Sequence, residues 1–454
     1  MAKIQSINPY TQELNWEFEL LTNEQIDEKV QKAHQQFLLW KDTPKSEKRK
    51  LFEKLADVID ADAEQIAKLQ TLEMGMLYTA SVIGLRSTTS LIRWFAANFE
   101  TILEDKPFES EWFSGRTMYD PLGVIFGIAP WNFPYNQVLR AAVPNILAGN
   151  TVIYKHASNV PMCAQMIETL FLKAGFPEGV YTNMFIASSQ TQYVMENPII
   201  RGTNLTWGEG AGRKVGAMAW ENLIPSVLEL WWNDAFIVLE NDDLDAVVKT
   251  AVWARISNGW QRCNASKRFI VLEKYYDEFC EKMAKAMKAL VVGDPMEATT
   301  QLPPLAKTDL VAEIDKQVRA TIDAGARLLT WGKILEWKGN FYAPTVLADV
   351  KKWMVSFDQE VFGPVASVIK SQSVEESIAL ANDCDFWLCG VVYGKDSAEC
   401  RRVAAQIQTG MVFINAPAGS KASLPFGWVK KSGYGKENGE EWLKAFTNKK
   451  VILY

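Results

Sequence analysis

Histidine is nearly missing: the 454-residue chain has two, His34 and His156. A Ser-His-Asp triad or a histidine-built metal centre is therefore nearly excluded. Cysteine is sparse too, with six residues at irregular positions 163, 263, 280, 384, 389 and 400. That spacing suits neither a zinc cluster nor a disulfide scaffold, so reduced thiols in a cytoplasmic protein are the expectation. No apolar run approaches the length that crosses a bilayer. The start, Met1-Ala2-Lys3-Ile4-Gln5-Ser6, lacks the basic and apolar regions of a secretory signal. Basic excess is absent as well. A net charge of −6 and a pI near 5.4 offer no steering toward nucleic acid or an anionic membrane.

What is present reads as a globular α/β protein. Hydrophobic residues make up 48% and charged residues 22%, and the length exceeds one ordinary core, so two or three domains are expected. Residues 22–103 carry helical periodicity, with Thr22 as a helix start. Residues 108–119 break it with a short aromatic and polar stretch that suits a strand pair or an extended arm. From 123 to 207, strands at 124–129, 151–154, 180–186 and 203–206 alternate with helices. Such alternation predicts a parallel sheet with sites beyond the carboxyl ends of its strands. A second α/β pattern begins after 229, with strands at 236–239, 269–272, 345–347, 365–370, 389–393 and 411–414. A terminal strand at 451–454 calls for a partner.

The chemistry centres on Glu229 and Cys263, 34 positions apart. A deprotonated thiol is a strong nucleophile, and a carboxylate can serve as its base or activate a water. Alone, the pair leaves open the commoner state of a buried, inert cysteine. Around it stand Pro130-Trp131-Asn132-Phe133-Pro134, Lys155, Glu360-Val361-Phe362-Gly363-Pro364 and Leu424-Pro425-Phe426-Gly427. With these motifs in this order the chain resembles the aldehyde dehydrogenase superfamily, most nearly its short succinate-semialdehyde branch. The resemblance runs from Asn8-Pro9-Tyr10 to the last strand.

The resemblance implies a Rossmann-type cofactor domain over 1–105 and 122–229 and an α/β catalytic domain over 230–424. An oligomerisation arm over 106–121 and 440–454 would build a homodimer or homotetramer. It implies that Cys263 forms a thiohemiacetal and then a thioester, that Glu229 activates water, and that Asn132 helps bind the oxyanion. Lys155 would bond the adenine ribose, Glu360 the nicotinamide ribose, and Phe362 would pack beside it. Trp131, Trp207 and Gly208 fall along the cofactor path, and the helix after Thr206 would receive the pyrophosphate. Ser158 stands where many NAD-specific members carry glutamate, so NADP is accepted beside NAD and repulsion of a 2′-phosphate is gone. Arg140 matches a carboxylate-binding arginine, which suits succinate semialdehyde. Its companion would fall at Ser257, and Arg262 or Lys421 are the replacements. A coenzyme A-acylating enzyme and an inactive scaffold are the alternatives, the first opposed by Glu229.

One departure is systematic. Tryptophan stands where the family writes glycine at Trp207, Trp231, Trp232, Trp260 and Trp428. Trp220, Trp331, Trp337, Trp353 and Trp387 also occupy glycine-like places, among 17 tryptophans in all. Tryptophan removes the positive φ and close backbone approach that glycine permits. Three accounts fit: a closed pocket in an inactive relative, a remodelled aromatic pocket, or UGA codons that the source reads as glycine and the written chain renders as tryptophan.

Overall fold

The computed structural model describes residues 2–454, the side chains of Gly259 and Trp260 excepted. Four helices come first, Asn23–Trp40, Lys45–Ala61, Ala63–Met74 and Tyr78–Ile102. The first opens on a capping box in which Thr22 and Gln25 satisfy each other's backbone amides. Ahead of it lies a hairpin of Lys3–Ile7 and Leu14–Glu19, two mostly exposed strands whose apolar alternation is too weak to be read in the sequence.

Two α/β sheets form the body. The six-stranded sheet runs in the order Gly433–Tyr434, Ser226–Glu229, Ile200–Thr206, Val124–Ile128, Thr151–Lys155 and Tyr181–Asn183. All its pairings are parallel except that of Gly433–Tyr434, which returns from the far end of the chain. Val124–Ile128 and Thr151–Lys155 are buried along their whole length, as expected of strands covered on both faces. The seven-stranded sheet has Ala235–Val238, Arg268–Leu272 and Val365–Ser371 near its centre. Its one antiparallel strand is the edge Arg327–Thr330.

A third sheet answers the question posed by residues 108–119. Lys106–Glu109 and Ser114–Pro121 form a strand pair, and Thr447–Leu453 joins Ser114–Pro121 from the other side. The terminal strand thus finds its partner within its own chain. Among the described residues no helix is long and apolar enough to cross a membrane.

Two buried polar residues fasten these parts. Glu73, at the end of a helix, accepts the amides of Met162 at 3.0 Å and Cys163 at 2.8 Å, capping the helix Pro161–Ala174. Burial nevertheless pushes its carboxyl up to about 7. Asn150 is fully buried; its Oδ1 accepts the amide of Gly123 at 2.9 Å and its Nδ2 donates to the carbonyl of Phe446 at 3.0 Å. One side chain therefore ties the sheet to the C-terminal segment. Replacing it by leucine strands the buried Gly123 amide, at about 1–3 kcal/mol, and leaves the Phe446 carbonyl with the Leu122 amide alone, at 3.4 Å. Urea unfolding of Asn150→Leu should show a loss of at least about 1 kcal/mol.

Candidate active site

Cys263 lies in a turn between the short 3-10 helix Ser257–Trp260 and the strand Arg268–Leu272. No helix opens at Cys263, so no helix N-terminus is there to lower the thiol's pKa. Burial instead pushes the thiol well above its ordinary value; the Glu229 carboxylate adds to this, and Arg140, Lys267 and Arg262 oppose it. The loop is held from several sides. Asn132 Nδ2 donates to the carbonyl of Gln261 at 2.8 Å, and Asn258 Nδ2 to the carbonyl of Asn132 at 3.0 Å. Gln261 Oε1 accepts the amide of Ala306 at 2.8 Å, and Lys267 Nζ donates to the carbonyl of Cys263 at 2.5 Å.

Glu229 ends its strand against the thiol and is only 1% exposed. Its Oε2 pairs with Arg140 Nη2 at 3.0 Å, while its Oε1 has no hydrogen-bond partner among the described residues. Arg140, 4% exposed on the helix Asn136–Leu147, also forms an ion pair with buried Glu437 and donates to Gln137 Oε1 at 2.6 Å. Its guanidinium stacks 4.5 Å from the Phe426 ring centre. Burial raises the proton affinity of Glu229, and the charge on Glu437 raises it further; Arg140 counters both. Arg140 thus faces two carboxylates of the chain itself. Arg262 is likewise engaged, with Ser257 Oγ at 2.6 Å and Asn264 Oδ1 at 3.1 Å.

A cleft of about 430 Å³ opens beside Asn132 and Cys263, within the size range of small-molecule sites. Trp131, Trp207, Gly208, Glu360 and Phe362 are in its walls, and Trp131 meets Phe362 edge to face at 5.8 Å. Glu360 pairs with buried Lys267 at 3.0 Å. Lys155, at the end of its strand, is buried with only the carbonyl of His156 at 3.3 Å as partner, and burial lowers its pKa. Ser158 is exposed beyond it. Lys155 and Ser158 are not among the cleft's walls.

These groups fit a dinucleotide: a buried cation at Lys155 with no carboxylate partner among the described residues, the helix N-terminus at Gly208, and an accepting carboxylate at Glu360. The space fits less well. Trp231 Nε1 lies 2.7 Å from the point where a Cβ on Gly208 would stand, so its indole covers that helix end. Trp232 is buried against Trp428 at 5.8 Å. The Trp260 side chain lies outside the described residues.

The structure therefore gathers Cys263, Glu229, Asn132, Trp131, Trp207, Gly208, Glu360 and Phe362 around one cleft or its floor, with Lys155 and Ser158 set apart. Sequence reasoning missed Glu437, Gln137 and Lys267. Lys267 had a signal, four residues after the cysteine at the head of an apolar strand; Glu437 had none. Among the described residues no group of three or more His, Cys, Asp or Glu side chains is placed to hold a metal.

Removing Arg140 leaves two buried carboxylates unanswered, a loss of about 3–5 kcal/mol. Arg140→Met should show this in denaturant unfolding, and adding Glu437→Gln should recover part of it; an additive double variant would contradict the pairing.

A profile described as the aldehyde dehydrogenase family matches residues 1–452. The succinate-semialdehyde dehydrogenase [NADP(+)] 1 of Mycobacterium tuberculosis is 38% identical over 452 residues, 99% of each chain. The succinate-semialdehyde dehydrogenase [NADP(+)] of Deinococcus radiodurans is 38% identical over 447 residues, 98% of this chain and 94% of that one. The crystal structure of succinic semialdehyde dehydrogenase from Streptococcus pyogenes in complex with NADP+ superposes with a TM-score of 0.97 at 35% identity, covering 99% of both chains. Fold, motif order and full-length similarity agree: the chain belongs to the aldehyde dehydrogenase family.

Proposed function

We propose that the chain oxidises succinate semialdehyde to succinate with NADP, through a covalent bond to Cys263. The observation that carries this reading is the placing of Cys263 and Asn132 in the wall of one cleft, with the Glu229 carboxylate against that thiol. The thiol sulfur attacks the aldehyde carbon and its proton passes to Glu229, whose Oε1 has no other partner. Asn132 Nδ2 and the Cys263 amide stabilise the oxyanion. Lys155 and Glu360 would hold the cofactor, which would supply the hydride acceptor for that carbon; its oxidation leaves Cys263 as a thioester. Glu229, once deprotonated, takes a proton from the water that cleaves the thioester and frees the thiol. Thioester transfer to coenzyme A needs no such base, so Glu229 favours hydrolysis.

The relatives' names support the choice of substrate and of NADP. Ser158 supports NADP as well, because it presents no charge to a 2′-phosphate, and Lys155 supplies a buried cation nearby. Arg140 acts in this reading as a positioning residue for Glu229, its charge already engaged by Glu229 and Glu437. We assign the cofactor to 1–105 and 122–229 and the catalytic segment to 230–424. Residues 106–121 and 440–454 serve as the arm, whose open strand edges suit pairing with a second copy. The tryptophans at the cleft favour one other reading, an inactive scaffold.

The test is an assay of the protein purified from its own source, with succinate semialdehyde and NADP, following reduced cofactor. Turnover lost in Cys263→Ser is expected; a folded protein that binds neither NADP nor NAD favours the scaffold. Glu229→Gln can neither take the thiol proton nor activate water, so both the first burst of reduced cofactor and later turnover should fall by at least about 100-fold. Glu437→Gln removes a negative charge that raises the Glu229 pKa, so the acid limb of the pH–rate profile should move to lower pH. Ser158→Glu should shift preference toward NAD by about tenfold or more, read as the ratio of kcat/KM values.

A further inference from the structure

Two groups stand out among the 17 tryptophans. In the first, the ring is buried and its N–H is used. Trp40 Nε1 donates to the carbonyl of Ile146 at 2.8 Å, and Trp442 Nε1 donates to the carbonyl of Arg140 at 3.0 Å. These are well-formed core tryptophans, and neither occupies a position where glycine is expected.

The second population breaks one rule or another at each site. Trp331 and Trp353 have φ of +43° and +74°, in the left-handed region where a bulky side chain is an outlier. Trp353 is also 83% exposed, and Trp220, near the end of its helix, 78%. Trp387 and Trp428 are buried with no acceptor for the indole N–H among the described residues, although buried tryptophans usually find one. Trp231 covers the helix end at Gly208, and Trp232 packs into Trp428 at the floor of the cleft.

These faults differ in kind: backbone sign, exposure, an unanswered donor, an obstructed helix end. Glycine removes all of them at once. It accepts positive φ, carries no N–H side chain, adds no apolar surface and leaves the helix N-terminus open. A closed pocket in an inactive relative would explain the cleft positions alone. It gives no reason for tryptophan at the exposed, left-handed Trp353. A remodelled aromatic pocket fails at the same residue.

We infer that Trp220, Trp231, Trp232, Trp331, Trp353, Trp387 and Trp428 are glycine in the protein as its source cell makes it, their UGA codons being read as glycine. UGA lies one base from the tryptophan codon UGG and is assigned to glycine in some genetic codes. The same account extends to Trp207, at the mouth of the cleft, and to Trp337. The dinucleotide cleft then runs open past Gly208, which a cofactor held between the Lys155 cation and the Glu360 carboxylate requires. The inference stands on backbone and side-chain geometry and does not depend on the proposed activity.

Codons and peptide masses decide it. The gene should carry UGA at positions 231, 331, 353, 387 and 428, and UGG at Trp40 and Trp442. Peptides from the native protein should be lighter by one methyleneindole group at each recoded site. UGG at Trp331 and Trp353, or peptides of full tryptophan mass there, would overturn it. A second measurement compares the chain as written with one carrying glycine at the seven positions, by thermal melting and by fluorescence titration with NADP. The glycine chain should melt higher and bind at least tenfold more tightly. Equal melting and equal binding would count against the inference even with the activity intact.

Discussion

The charge on Arg140 is the constraint on which the site depends. It lies on a helix beside the first sheet, and two carboxylates converge on it, Glu229 from a strand of that sheet and Glu437 from near the end of the chain. Each of the three is at most 4% exposed. Water does little for any of them, so burial would neutralise the acids if the guanidinium were absent. Two negative groups on one positive group leave the cluster short of a cation. Burial raises the proton affinity of Glu229, and the uncompensated charge on Glu437 raises it further. The backbone of Arg140 is fixed as well, since its carbonyl receives the Trp442 indole.

Much of this was legible in the chain, for a physical reason. Cys263, Glu229 and Asn132 sit at strand ends or in tight turns, where α/β proteins place their chemistry, and short motifs mark them. The parallel strands showed as unbroken apolar runs because both faces are covered. Glu437 was not legible. It lies in the two-residue strand Lys436–Glu437 with no apolar run around it, and only the fold brings it to Arg140. Arg140 reads in the sequence as a substrate clamp, and the fold adds two internal partners, Glu229 and Glu437. Cys263 has no helix end beside it, because the chain turns there and enters a strand.

The tryptophans show how much a backbone discloses about its side chains. A left-handed residue costs about 1–3 kcal/mol for anything but glycine. A buried indole without an acceptor costs about as much. Several together approach the whole stability of a domain, roughly 5–15 kcal/mol. The surrounding helices and sheets nevertheless keep their register, and the family's motifs remain intact between the affected positions. The fold is set by residues that do not include them.

The indole of Trp442 and the carbonyl it meets are 302 residues apart in the chain. Glu437 reaches Arg140 across nearly the same span. A chain grows from its amino end, and its early segments begin to fold before the later ones exist. During that interval the guanidinium has Glu229 alone, and the antiparallel strand Gly433–Tyr434 is missing from the edge beside Ser226–Glu229. Cys263 and Glu229 are thus made long before the residues that complete their surroundings. The cluster around Arg140 is therefore complete only once the C-terminal segment has been made and docked.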